Sequence, residues 1–201
     1  MAIDTDSRSC PEPVAAERVG HLTGCLTSCG LTWIFKKVDS VLRGPVLAEL
    51  RSMLAATGKR RAILAPANPS RGRIIRASLY FVDGRPIEHS AFRDDPEYPI
   101  RSSDVLTMLG AYGNPDVRLA SLDQELPDAG IIVAEASTDE DVTRWAARVD
   151  PSTLAAGGAD FFTALLAAKV RHRSQSQFVE DELPCGRRTL FVCGSATACV
   201  R

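Results

Sequence analysis

Phe35-Lys-Lys-Val-Asp-Ser-Val-Leu-Arg-Gly-Pro45, FKKVDSVLRGP, packs two lysines, an aspartate, a serine and an arginine between apolar residues and ends in Gly-Pro. Upstream, "LTWIFKKV" is rich in β-branched and aromatic residues, the signature of a buried strand. Downstream, "PVLAELRSMLAATG" places apolar residues at 46, 47, 50, 53 and 54, which predicts a helix with proline at its first position and Gly58 past its end. The charged stretch is therefore the elbow where a strand hands over to a helix.

Other segments repeat this alternation. "MAID" reads as a short strand, Pro13 to Cys29 as a helix stopped by Gly30, and "RAILAPA" as a buried strand. "SLYFVDGRPIEHSAF" alternates around Asp83-Gly84, a dipeptide favoured in tight hairpins. Ser102 to Leu109 predicts a short helix capped by Ser102 or Ser103. "AGIIVAEA" follows as a strand, "STDEDVTRWAARV" and "GGADFFTALLAAKV" as helices, and "RTLFVCGS" as a last strand. Strands alternating with helices predict an α/β fold: a mainly parallel sheet flanked by helices, with a β-hairpin excursion.

Bulk properties narrow the partners. The 201 residues are 45% hydrophobic and 24% charged, with a net charge of −1, so no overall basic field argues for nucleic acid. No apolar run approaches the roughly 20 residues that span a bilayer, which argues against a membrane partner. Cysteines stand at 10, 25, 29, 185, 193 and 199 without a C-x-x-C pair. His21, Cys25 and Cys29 share a helix face, but no second pair completes a zinc site, so no metal site is assigned. With no targeting signal evident, free thiols in a cytoplasmic protein are the expectation. His21, His89 and His172 are scattered, and none is given a catalytic role.

In open parallel sheets ligands bind beyond the carboxyl ends of the strands, where the elbow lies. A helix start there favours an anion, Arg43 offers a planar fork and Lys37 a point charge. Asp39 and Ser40 add an acceptor and a hydroxyl, and "DTDSR", Asp4 to Arg8, has the form of another strand end, from which Arg8 can converge. Together these groups suit a small, anionic, polyhydroxylated ligand. The competing reading is a structural ion-pair cluster, with Asp39 as helix cap, Lys36 outward and Arg43 on a neighbouring carboxylate.

At these residues the sequence resembles the four-carbon acid sugar kinase family, in its N-terminal, substrate-binding domain. The family pattern K-K-x-D-S-x-x-R-G is matched by Lys36 to Gly44, and D-T-x-S-R by Asp4 to Arg8. "APANPSRGRIIR", "YFVDGRPIEHSAFRDDPEYPIRSSDV", "IIVAEASTDEDV" and "LAAGGADFF" resemble further family stretches in order, so the likeness covers nearly the whole chain. Val41 and Pro45 stand where threonine and asparagine are common, Glu135 where aspartate is, and Asn68 where an aromatic is.

The resemblance implies a kinase that phosphorylates a threonate- or erythronate-type acid with ATP and Mg2+. Arg8, Lys37, Val38, Asp39, Ser40 and Arg43 would bind the substrate, and Arg73 is a further candidate for the site or the phosphates. The catalytic residue is unassigned; Asp39 is one candidate proton acceptor. The family's first strand, with its Asp-Asp-x-Thr-Gly motif, has no counterpart. The expected division is therefore a sugar-acid-binding domain over 1–187 lacking its first strand-helix unit, and a stump over 188–201 leading into an absent nucleotide-binding domain. Such a piece is expected to be inactive alone, to bind neither ATP nor Mg2+ tightly, and to self-associate because the sheet lacks an inner strand. The alternative is a stand-alone module that binds a sugar acid without catalysis. Gly157-Gly158 lacks the spacing of a phosphate loop and reads as a close approach of helix to sheet.

Overall fold

The computed structural model describes residues 2–31 and 33–173. The expected strand at 188–195, the stump, and Cys185, Cys193 and Cys199 lie outside them. Helix α1 (Glu12–Ser28) precedes strand β1 (Phe35–Lys37), followed by α2 (Val46–Thr57) and β2 (Arg61–Ala65). Three short strands come next: β3 (Arg73–Arg76), β4 (Leu79–Val82) and β5 (Arg85–Pro86). Then follow α3 (Val105–Met108), β6 (Val117–Ala120), β7 (Gly130–Ala134), α4 (Asp139–Ala147), β8 (Thr153–Gly157) and α5 (Ala159–Arg173).

The main sheet has the order β1-β8-β2-β7-β6, and every pairing in it is parallel. Its strands are buried on both faces, so their residues alternate between two apolar layers rather than between core and water. Ala62 and Leu64 of β2, Ile131 and Val133 of β7, and Leu154 and Ala156 of β8 face α1 and α2, meeting Val19, Leu50 and Met53. Ile63, Ala65, Ile132, Ala134 and Ala155 face α4 and α5, meeting Val142, Trp145, Phe161 and Leu165. The expected α/β sandwich is therefore the observed one.

β3, β4 and β5 form a small antiparallel sheet beside it. The Asp83-Gly84 turn has both residues at positive φ, 50° and 77°, as a tight two-residue hairpin demands. The preceding turn is less expected. Ala77 and Ser78 also take positive φ, 48° and 69°, without glycine. Glu135, just beyond β7, holds that turn by accepting the Ser78 N–H at 2.7 Å. A left-handed conformation costs a non-glycine residue about 1–2 kcal/mol. Ala77→Gly is accordingly expected to stabilise the domain by about 1 kcal/mol, read as a higher urea midpoint with an unchanged slope.

Several local expectations need correction. Residues 2–6 form no strand: Ala2 and Ile3 are exposed, and the chain turns at Asp6, whose φ is 44°. Among the described residues, no neighbouring strand lies there to complete a ladder. "LTWIFKKV" contributes only Phe35–Lys37, and Pro45 is the residue before α2 rather than its first. The cap of α3 is Asp104, whose carboxylate accepts the Thr107 N–H at 2.7 Å, not Ser102 or Ser103. β3, β6 and β8 were not expected as strands. Among the described residues the sheet also runs unbroken from β1 to β6, without the anticipated interior gap, and β1 and β6 are its edges.

Candidate functional site

All five strands of the main sheet point the same way, so the loops after them share one rim. The elbow leaves β1 at this rim. Val38 continues the pairing by donating its N–H to the Gly157 carbonyl at 3.1 Å, and the chain then turns at Leu42 (φ 64°) before α2. Val38, Val41 and Leu42 are buried, which pins the elbow to the core and leaves its polar side chains at the rim.

A cavity of about 360 Å³ opens beside it, walled by Asp4 to Ser9, Lys36 to Asp39, Arg43 and the first turn of α2. Five of the six expected substrate-binding residues, Arg8, Lys37, Val38, Asp39 and Arg43, line this one space. Ser40 does not. It is buried with its hydroxyl against the Arg73 guanidinium, and its carbonyl accepts the Tyr80 hydroxyl. Tyr80 is fully buried, and burial raises its phenol above the ordinary range, so it stays a donor.

Arg43 is committed within the protein. Its Nε and Nη2 donate to the two Asp39 oxygens at 2.7 and 3.2 Å, and its Nη1 donates to Asp95 at 2.8 Å. The hydrogen bond it donates to Asp39, foremost, raises Arg43 even further above its ordinary value, so it is always charged. Two carboxylates thus share one guanidinium. The structural ion-pair reading thus holds for Arg43, but Asp39 caps no helix, and Lys36 points inward to Glu49 at 2.9 Å.

Positive charge without such compensation comes from Arg8, Lys37 and Arg73, which have no ion-pair partner among the described residues. Partial desolvation lowers the Lys37 pKa from its ordinary 10.5; Asp39 opposes this and Arg73 adds to it. Its ammonium donates to the Val38 carbonyl at 2.6 Å. Arg43 and Arg73 lie 5.7 and 5.5 Å from the centroid of one ring, Phe92, a cation–π geometry that brings two guanidiniums near each other.

Sequence reasoning missed Glu49, Asp95 and Phe92. Glu49 was detectable: it lies on the apolar stripe of α2, three residues after Val46, where a lone acid demands a partner. It is 6% exposed and satisfied by Lys36 and the Ser7 hydroxyl. Asp95 carried only the weak signal of an Asp-Pro turn.

A second cavity, about 280 Å³, lies between the ends of β6 and β7, lined in part by Arg76, Asp123, Glu135 and Arg144. Its acids are largely engaged: Glu135 holds the Ser78 turn, and Asp141 completes the cap of α4. Among the described residues, no group of three or more His, Cys, Asp or Glu is placed to hold a metal ion. His21 Nε2 and Cys25 Sγ, 3.7 Å apart on α1, make only a pair. No helix among the described residues is long and apolar enough to cross a membrane.

Residues 1–165 match the model of the sugar-binding N-terminal domain. A D-threonate kinase of Bordetella bronchiseptica is 32% identical across 73% of this chain and 37% of its own length. A D-erythronate kinase of Heliobacterium modesticaldum is 27% identical across 100% of this chain and 48% of its own. The chain thus spans less than half the length of these relatives. A Bordetella bronchiseptica domain of unknown function, solved as a domain-swapped dimer with bound citrate, superimposes with a TM-score of 0.68 at 27% identity, over 79% of this chain and 42% of that one. A Haemophilus influenzae protein with a TM-score of 0.71 and 19% identity, over 83% of this chain and 45% of that one, shares the fold. The chain belongs to the four-carbon acid sugar kinase family, through its sugar-binding N-terminal domain.

Proposed function

We propose that this domain binds a threonate- or erythronate-type acid in the cavity beside the elbow, as the substrate-binding part of an ATP-dependent sugar-acid kinase. The observation that carries the reading is the division of charge around that cavity. Lys37 and Arg8, without ion-pair partners among the described residues, offer positive charge to a carboxylate, while Asp39 and Arg43 offer acceptors and spare N–H groups to hydroxyls. Asp39 has both oxygens on Arg43, which suits it to orient a hydroxyl more than to remove its proton. Arg73, joined to the elbow through Ser40, is the adjoining cation for a phosphoryl group. Holding an acceptor hydroxyl in place is the larger share of what a phosphoryl-transfer enzyme must do.

The glycine pair just ahead of α5 is closely packed against protein. A Cβ on Gly157 would stand 2.2 Å from the Ala65 carbonyl oxygen, and one on Gly158 2.5 Å from Asn68 Oδ1. These glycines are spent on protein contacts and cradle no phosphate. In the full kinase ATP and Mg2+ would be held elsewhere and would supply the phosphoryl group. That occlusion also favours a second reading, a module that binds the acid without chemistry. Turnover of ATP by this chain in the presence of D-threonate would exclude it.

The test is thermal unfolding with D-threonate, D-erythronate and an uncharged four-carbon polyol. At a hundredfold excess over Kd, a ligand bound by the native state alone adds about 2.7 kcal/mol, an increase in Tm of about 5–10 °C. The acids are expected to give it and the polyol not. Affinity is expected to fall as pH rises through the lowered Lys37 pKa, below the ordinary 10.5, because the ammonium that holds the carboxylate is then lost. No shift with either acid removes the proposed ligand class; a shift unaltered across that range removes Lys37 from its role.

A further inference from the structure

We propose that Asp95 and Tyr98 form a strap that positions two arginines of the cavity wall, Asp95 through the Arg43 side chain and Tyr98 through the Arg8 backbone. The value of this to a ligand rests on the reading above. The strap itself rests on geometry. Asp95 Oδ2 accepts from Arg43 Nη1 at 2.8 Å, while its Oδ1 accepts the N–H groups of Glu97 and Tyr98 at 3.1 and 2.8 Å. One carboxylate thus builds its own turn and holds a guanidinium. The turn aims the Tyr98 side chain at the N-terminal segment, where its hydroxyl donates to the Arg8 carbonyl at 2.6 Å.

Arg8 needs such a hold. It is exposed, in a segment that joins no sheet. Arg18 of α1 fixes that segment one turn earlier, donating to the Asp6 carbonyl at 2.7 Å. Gly44, at φ 90°, lies so close that a Cβ there would meet the Arg8 carbonyl oxygen at 2.9 Å. The same peptide group is therefore confined by the elbow and hydrogen-bonded by the strap. The base of the strap is anchored too: Phe92 accepts the N–H groups of Asp95 and Ile100 at 3.3 and 3.1 Å, and its ring lies by Arg43 and Arg73. The Tyr98 N–H, and then Arg43, keep the Asp95 carboxyl below its usual pKa, so the strap is ionised at neutral pH.

Two variants of the whole chain test this. Tyr98→Phe keeps the ring and deletes only the hydroxyl. Asp95→Asn keeps an oxygen for the turn and deletes the charge facing Arg43. Peptide-level hydrogen exchange over residues 4–10 is expected to speed up about three- to tenfold in Tyr98→Phe, the equivalent of one lost hydrogen bond, with β2, β7 and β8 unchanged. In Asp95→Asn the Arg43 Nε–H resonance is expected to broaden or exchange faster. D-threonate affinity, measured by calorimetry, is expected to fall about three- to tenfold in Tyr98→Phe with no loss of Tm.

Unchanged exchange over residues 4–10 in Tyr98→Phe, or an unchanged Arg43 resonance in Asp95→Asn, overturns the strap. Faster exchange with unaltered affinity overturns the positioning role. If wild-type protein binds neither acid, the ligand reading falls while exchange and resonance still decide the strap.

Discussion

Glu49→Ala is expected to destabilise the domain by about 3–5 kcal/mol, because removing one member of a buried ion pair leaves the other charge uncompensated. Glu49 and Lys36 have side chains only 7% and 13% exposed and meet at 2.9 Å. The same change strips the Ser7 hydroxyl of its acceptor, so the segment carrying Arg8 loses its tie to α2. Against the total stability of about 5–15 kcal/mol usual for a domain, the variant should be marginal at 37 °C. Urea unfolding monitored by circular dichroism gives the number. The double variant Lys36→Met/Glu49→Leu replaces the pair by apolar groups and is expected to recover most of the loss. If the double variant is no better than the single, the pair is not the source of the effect.

Trp145→Ala is expected to cost a similar amount, about 3–5 kcal/mol, as the price of emptying a large buried site. Trp145 is wholly buried in the layer beneath α4, and its indole N–H donates to the Glu135 carbonyl at 2.6 Å. Trp145→Phe refills much of the volume but leaves that carbonyl without its donor, and should cost about 1–3 kcal/mol. Calorimetric melts of the three proteins separate the two contributions. Glu135 also holds the Ala77-Ser78 turn through its side chain, so loosening its backbone should reach the small sheet. Faster hydrogen exchange at Ser78 in both variants checks that link.

Which features were readable before the fold was known depends on how each residue announces itself. The α/β alternation was visible because β2 and β7 are runs of Ile, Leu and Val. Helix α4 was visible because Thr138 and Asp141 make a reciprocal cap at its start. β8 was not, since "TLAAG" is poor in β-forming residues. Its small side chains answer to packing between β1 and β2, a tertiary demand with no local trace. β3 was hidden for another reason: its turn uses Ala77 and Ser78 where glycine or asparagine is the usual signal, and the compensating contact comes from Glu135, 57 residues on.

The site was readable in part. Arg8, Lys37, Asp39 and Arg43 were named from charge at a strand end, and they do wall one cavity. The side to which Ser40 turns was not readable, because Arg73 and Tyr80 come from the small sheet and no spacing within the elbow reveals them. The saturation of Arg43 was hidden likewise: Asp95 lies 52 residues away. Partners distant in sequence are what a linear reading loses first.

The Gly157-Gly158 step, where even a methyl group would collide with Ala65 or Asn68, sets limits on how this protein can be redesigned. Randomising these two positions opens no new volume at the rim, because any side chain there must first displace the Ala65 backbone or the Asn68 amide. Diversity belongs instead at the exposed positions of the N-terminal stretch, such as Arg8 and Ser9, whose side chains can change without unseating a strand.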